Sequence, residues 1–310
     1  MQNMTGNRKG RSFLAIPLIA FALLALLIIP SGNVMGDDLN VVKQKGVLRH
    51  LGIPYANFVT GTGDGMDIEL LSLFAKNLGV KYEYVKTDWS EIFGDLTGKK
   101  FKTKGNDVEF IGNVPVKGDI AANGITVIPW RQKIVDFSLP TFPNQVWLVA
   151  RADSPVKPIK PTGNLGKDIA ETKKLLKDKS LLGKTGTCLE PSLYNLDVTG
   201  AKIKLFQGGL NEIAPALVNG EADLTLLDVP DALVALQKWP GKIKVIGPIS
   251  TMQDMSVAFS KESPKLRIAF NKFLQKSRTD GTYDRLVKKY YPFAPSYFPE
   301  FFKKKIHKRG

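Results

Sequence analysis

With 310 residues, 43% of them hydrophobic, the chain is long enough to bury one large core or two medium ones. A single cysteine, Cys188, excludes an intrachain disulfide, and with only two histidines the usual zinc ligand sets are missing, so neither metal nor cofactor is expected. The net charge of +15 is partly an effect of the ends, where Arg8, Lys9 and Arg11 open the chain and Lys303, Lys304, Lys305, Lys308 and Arg309 close it. No helix interleaves arginines with aromatics, so the charge implies no nucleic-acid partner, and 301–310 reads as a solvated basic tail.

In chain order, the basic start leads into an apolar run over 13–29 and a Pro30-Ser31-Gly32 break. Val34 and Gly36 then stand as small residues before a cut ahead of Asp37, the layout of a secretory signal over 1–36. The run also reaches the lower edge of a bilayer span, so a retained anchor is the alternative. No cysteine follows the run, which argues against a lipidated anchor. Strands are predicted at 47–53, 81–85, 119–125, 146–151, 202–206, 224–227 and 255–259. Helices are predicted at 67–78, 90–96, 166–178, 192–196, 211–218, 229–238 and 264–279. The alternation is that of an α/β fold, and Ile68, Leu71, Phe74 and Leu78 recur at core spacing in the first helix. Between 99 and 117, Gly105-Asn106-Asp107 predicts a hairpin. Cys188 has no histidine near it in sequence and reads as a small buried hydrophobe rather than a nucleophile.

The most informative stretch, 118–140, reads GDIAANGITVIPWRQKIVDFSLP. Arg131 has no nearby acidic partner in it, and a planar guanidinium suits a planar carboxylate through two parallel hydrogen bonds. Asp119, Gly124, Thr126, Arg131, Phe137, Ser138 and Pro140 match the pattern G-x-x-D-h-h-x-x-G-h-T-h-T-x-x-R-x-x-x-h-x-F-S-x-P-Y, with h apolar. In this respect the chain resembles the bacterial extracellular solute-binding proteins of family 3, the polar amino-acid receptors of ABC importers. VLRHLGIPYANF, GMDIELLSLFAKNLGVKYEYV, GEADLTLLDVPDAL and LQKSRTDGTYDRLVKKYYP extend the resemblance from about residue 42 to 292.

The resemblance implies a two-lobe, type II periplasmic-binding-protein-like α/β fold with two hinge strands, near Trp147 and Val257. Lobe 1 would comprise 37–145 and 255–300, and lobe 2 would comprise 152–250. It also implies that Arg131 anchors a ligand carboxylate, with the Thr126 hydroxyl and the Gly124 backbone donor beside it. Asp228 would meet the ammonium group; the residue also suits a helix N-cap before Val229-Pro230, and the two roles can coexist. Tyr55 and Trp89 would wall the side-chain pocket, with core packing the alternative for Trp89. The match is weakest at GKTGTCLEPSLYNL, where Glu190-Pro191 replaces a Gly-Thr pair, leaving Ser192 or Thr187 to supply a hydroxyl and Glu190 to repel a carboxylate unless it is neutralised.

The expected function is therefore that of a monomeric periplasmic receptor, not an enzyme, which captures a small amino-acid-like ligand and delivers it to an ABC transporter permease. The alternatives are a cyclohexadienyl dehydratase-like enzyme with Glu190 as general acid or base, or an accessory subunit of a periplasmic complex using the insertions at 99–117 and 166–178.

Overall fold

The computed structural model describes residues 37–303; the signal expected over 1–36 and the tail beyond 303 lie outside the described residues. The chain first runs through α1 (Asp38–Lys45), β1 (Val47–Gly52), α2 (Met66–Leu78), β2 (Lys81–Lys86), α3 (Ile92–Thr97), β3 (Lys99–Lys104), β4 (Asp107–Asn113), β5 (Ile120–Ala121), α4 (Pro129–Ile134) and β6 (Val135–Phe137). It then crosses at β7 (Phe142–Asn144) into β8 (Val146–Arg151), α5 (Leu165–Lys174), β9 (Ser180–Gly183), β10 (Lys202–Leu205), α6 (Ile213–Val218), β11 (Leu224–Asp228), α7 (Val229–Lys238) and β12 (Ile243–Pro248). A return at β13 (Gln253–Met255) leads to β14 (Ala258–Ser260), α8 (Pro264–Thr279), α9 (Thr282–Tyr290), α10 (Ala294–Tyr297) and α11 (Pro299–Lys303).

Two five-stranded sheets result. The first has the order β2-β1-β5-β14-β6, with β14 antiparallel to its neighbours, and the second has the order β10-β9-β11-β8-β12, with β8 antiparallel to its neighbours. In each, the antiparallel strand is the one that has just crossed from the other sheet. The two crossings pair with each other as β7 and β13, with Asn144 opposite Gln253 and Phe142 opposite Met255. This is the expected type II architecture, although the paired links lie a few residues before the stretches around Trp147 and Val257 where crossing was expected. Trp147 already belongs to β8, and Val257 directly precedes β14.

The local chemistry explains these elements. Leu70, Leu71 and Phe74 of α2 are fully buried, and Gly79 ends that helix in the left-handed region, its N–H returning to Ala75 and Lys76 carbonyls. β8 and β11 are buried along nearly their whole length, with α6 and α7 packed against both, so they read as continuous apolar runs. The expected hairpin forms as β3 and β4, with Phe101 and Val108 packed inward while Phe110 and Ile111 remain exposed.

Several elements differ from expectation, among them the strand expected over 255–259, which is split between β13 and β14 with Ser256 and Val257 outside both. The strand expected over 119–125 pairs only at β5, because Gly124 turns out of the sheet at φ 65° with its N–H held by Asp67. The helix expected over 192–196 is a 3-10 turn, Pro191–Tyr194, stopped by Asn195 in the left-handed region. The basic tail expected from 301 begins inside α11. No helix among the described residues is long and apolar enough to cross a membrane.

Candidate ligand-binding site

Arg131 sits on α4, a short helix begun by Pro129, whose fixed φ suits a first turn. Trp130 and Ile134 of the same helix enter the core, which draws Arg131 in with them. The guanidinium is 1% exposed, and its carbon lies 5.4 Å from the Trp89 ring, 5.5 Å from Phe93 and 5.2 Å from Trp130. It donates to the Thr126 carbonyl at 2.9 Å and reaches the Gly186 carbonyl at 3.5 Å, while Nε has no partner among the described residues. Among the described residues no carboxylate forms an ion pair with it. Burial lowers its pKa, and the aromatic faces offset part of that cost through cation–π attraction.

Facing this cation is the end of β11. Asp228 caps α7, accepting from the Asp231 N–H at 3.4 Å, and it also accepts from the Tyr55 hydroxyl and, at 3.3 Å, from the Cys188 thiol. Asp228 is therefore the N-cap of α7, one of the two roles expected for it. Burial pushes the Asp228 carboxyl up to about 6, against the pull of these bonds and of the Arg131 charge. Behind it, burial and the Asp228 charge raise Asp231 well above the carboxylate range.

Tyr55 follows β1 and so joins the first sheet's side of the cleft to the second. Its ring meets Trp89 edge-on at 6.2 Å, and the next residue, Ala56, is held at φ 46° with its N–H donating to Asn211 Oδ1 at 2.8 Å. A non-glycine residue in that region carries strain that its surroundings must over-determine.

These features place the chain among known proteins. The model of the bacterial extracellular solute-binding proteins, family 3, matches residues 52–108 and 115–293. The chain belongs to this family. The gap in the match falls within the β3–β4 hairpin and the residues just after it. The L-cystine-binding protein TcyA of Bacillus subtilis is 25% identical over 83% of this chain and 85% of its own length. The lysine/arginine/ornithine-binding periplasmic protein of Escherichia coli is 25% identical over 74% of this chain and 79% of its own. Among solved structures, an ancestral amino acid-binding protein described as a precursor of cyclohexadienyl dehydratase superposes with a TM-score of 0.65 at 28% identity, covering 82% of this chain and 99% of its own.

Within this family member, the structure brings Arg131, Thr126, Tyr55, Trp89 and Asp228 together, and it treats the other expected residues differently. The Gly124 N–H, expected as a donor to the ligand, donates instead to Asp67 Oδ2 at 2.8 Å. What requires a glycine there is φ 65° and the Phe58 ring, 2.4 Å from where a Cβ would stand. Burial raises Asp67 to about 7. Glu190 is spent inside its own loop, accepting from the Gly186 N–H at 2.9 Å and the Ser192 hydroxyl at 3.1 Å, so both Glu190 and the exposed Ser192 brace the turn that presents Gly186 to Arg131. The expected repulsion by Glu190 is thus offset by bonds within the loop. The Thr187 hydroxyl is likewise committed, donating to the Lys184 carbonyl at 2.8 Å and accepting from the Leu189 N–H.

Sequence reasoning missed Phe93 and Trp130, which complete the cage around Arg131, and Asn144, which bonds Thr126 Oγ1 and the Val229 N–H and so spans both sides. It also missed Cys188, whose thiol lies in the cleft. The adjacency of Trp130 to Arg131 was the one legible signal.

Among the described residues no group of three histidine, cysteine or acidic side chains is disposed to hold a metal ion.

Proposed function

We propose that this chain is a solute-binding receptor that captures a free amino acid in the cleft between its two sheets. The observation that carries this reading is the pairing of a buried guanidinium that has no carboxylate of its own among the described residues with a buried carboxylate facing it. A zwitterion satisfies such a site by placing its carboxylate on Arg131 and its ammonium on Asp228, leaving the net buried charge unchanged. Tyr55 and Trp89 would wall its side chain. The amino-acid-binding relatives support the class of ligand.

In the same reading the chain is exported by its first 36 residues, acts as a monomer of two lobes, 37–145 with 255–300 and 152–250, and hands its ligand to an ABC permease. The enzymatic alternative would rest on Glu190, and the bonds that commit its carboxylate to Gly186 and Ser192 favour the receptor.

Thermal unfolding with each of the twenty standard L-amino acids tests the reading. At least one should raise the melting temperature of the protein and not that of Arg131→Ala. A panel in which none does would overturn it.

A further inference from the structure

Cys188 is the only cysteine of the chain, and it stands where the two poles of the cleft meet. It is 4% exposed, its Sγ lies 3.3 Å from Asp228 Oδ2, and the Tyr194 hydroxyl pins its carbonyl at 2.6 Å. An independent observation marks this spot as a ligand position rather than packed core. The Arg131 guanidinium beside it is almost wholly buried, lacks an acidic partner among the described residues and keeps Nε unpaired. Burial and the neighbouring Asp228 charge raise the thiol's pKa, so it is a neutral donor and a poor nucleophile. The Asp228 carboxylate thus has one oxygen engaged by Tyr55 and the Asp231 N–H and the other by sulfur.

We propose that Cys188 is a specificity-determining residue of the ligand site, its thiol donating to Asp228 Oδ2 at the point where the ammonium group of a bound amino acid must arrive. This rests on the amino-acid reading above. An incoming ammonium has to share or displace the sulfur donor, and a thiol yields more readily than a hydroxyl because it is the weaker donor. The site is thereby set to a moderate hold on the amine, and the thiol, already almost buried, meets reagent only when the two sides of the site part.

The test uses the full-length chain at pH 8, where Asp228 is ionised, and the standard L-amino acid that raises the melting temperature most. Calorimetric affinity for that amino acid should rise about three- to tenfold in Cys188→Ala, which frees Oδ2, and fall by a similar factor in Cys188→Ser, which holds it harder. Because no other cysteine competes, alkylation by N-ethylmaleimide should be at least about tenfold slower when the amino acid is saturating, since a bound ligand disfavours the opening through which reagent reaches the buried thiol. Affinities within twofold of one another, the reverse order, or an alkylation rate indifferent to the bound amino acid would sink the proposal while leaving the receptor reading intact. If none of the twenty amino acids binds, both fall together.

Discussion

The two sides of the cleft hold their charges in opposite ways. On the first sheet's side Arg131 is wrapped in aromatic rings and bonded to carbonyls, and among the described residues its charge lacks an anionic partner. On the second sheet's side Asp228 is already engaged by Tyr55, Cys188 and its own helix N-terminus. The cationic pole therefore has most to gain from a ligand, whereas the anionic pole exchanges one set of donors for another. Affinity should come chiefly from Arg131 and discrimination chiefly from the surroundings of Asp228.

The sharpest way to break this comparison is Arg131→Ala, which should weaken amino-acid binding by about 2 to 5 kcal/mol, because truncating one partner leaves the ligand carboxylate buried and unpaired. Calorimetry that returned the wild-type affinity would show that the unpaired guanidinium is structural.

Asp228→Asn should have a smaller effect, about 2 kcal/mol on an amine-bearing ligand, since protein donors already compensate the carboxylate. The same residue sets a pH dependence. Its carboxyl titrates at about 6, only the ionised form attracts an ammonium, and so affinity should be level above about pH 7 and fall about tenfold per unit below pH 6. Titrations across pH 5 to 8 should show this slope in the wild type and lose it in Asp228→Asn.

Asp67 sharpens the contrast from behind the first side. Its folded-state pKa is raised to about 7 by burial, so the carboxyl contributes stability below its unfolded pKa near 4 and loses it as pH rises through 7. Asp67→Asn keeps an acceptor for the Gly124 N–H without a buried charge, and should raise stability by about 1 to 2 kcal/mol at pH 8 and by almost nothing at pH 4. Denaturant unfolding at the two pH values would measure the difference; an equal gain at both would show that ionisation is not its source.

The least effect is expected from Glu190→Gln. The glutamine oxygen keeps the acceptor for the Gly186 N–H and its amide N–H can donate to the Ser192 hydroxyl in place of accepting from it, so affinity should move by less than about 0.5 kcal/mol. A loss comparable to that of Asp228→Asn would mean that Glu190 reaches the ligand.

Much of the architecture was legible from periodicity alone. The apolar stripe of α2, the continuous apolar strands β8 and β11 and the hairpin around Gly105 are local patterns, and each formed at or near its expected place. Other elements were not legible: β9 has only four residues, β12 shows no alternation because a bulge interrupts its pairing with β8, and α4 was hidden because its six residues complete less than two turns.

For the site, residue type points to Arg131, a lone arginine after a glycine turn, whereas Asp228 before Val-Pro reads locally as a helix N-cap and gains a ligand role only from the family resemblance. Which donors those charges meet was decided only by the tertiary structure. Tyr55 and Asp228 are 173 residues apart and touch because two paired crossing strands bring the two sheets face to face. Cys188 reads as a buried hydrophobe in sequence, and burial is indeed its state, but burial beside a carboxylate makes a thiol a hydrogen-bond donor. Gly124 shows the converse, a residue whose place the sequence marked and whose amide the fold spent on Asp67, because a buried polar group takes the nearest partner in space whatever its separation along the chain.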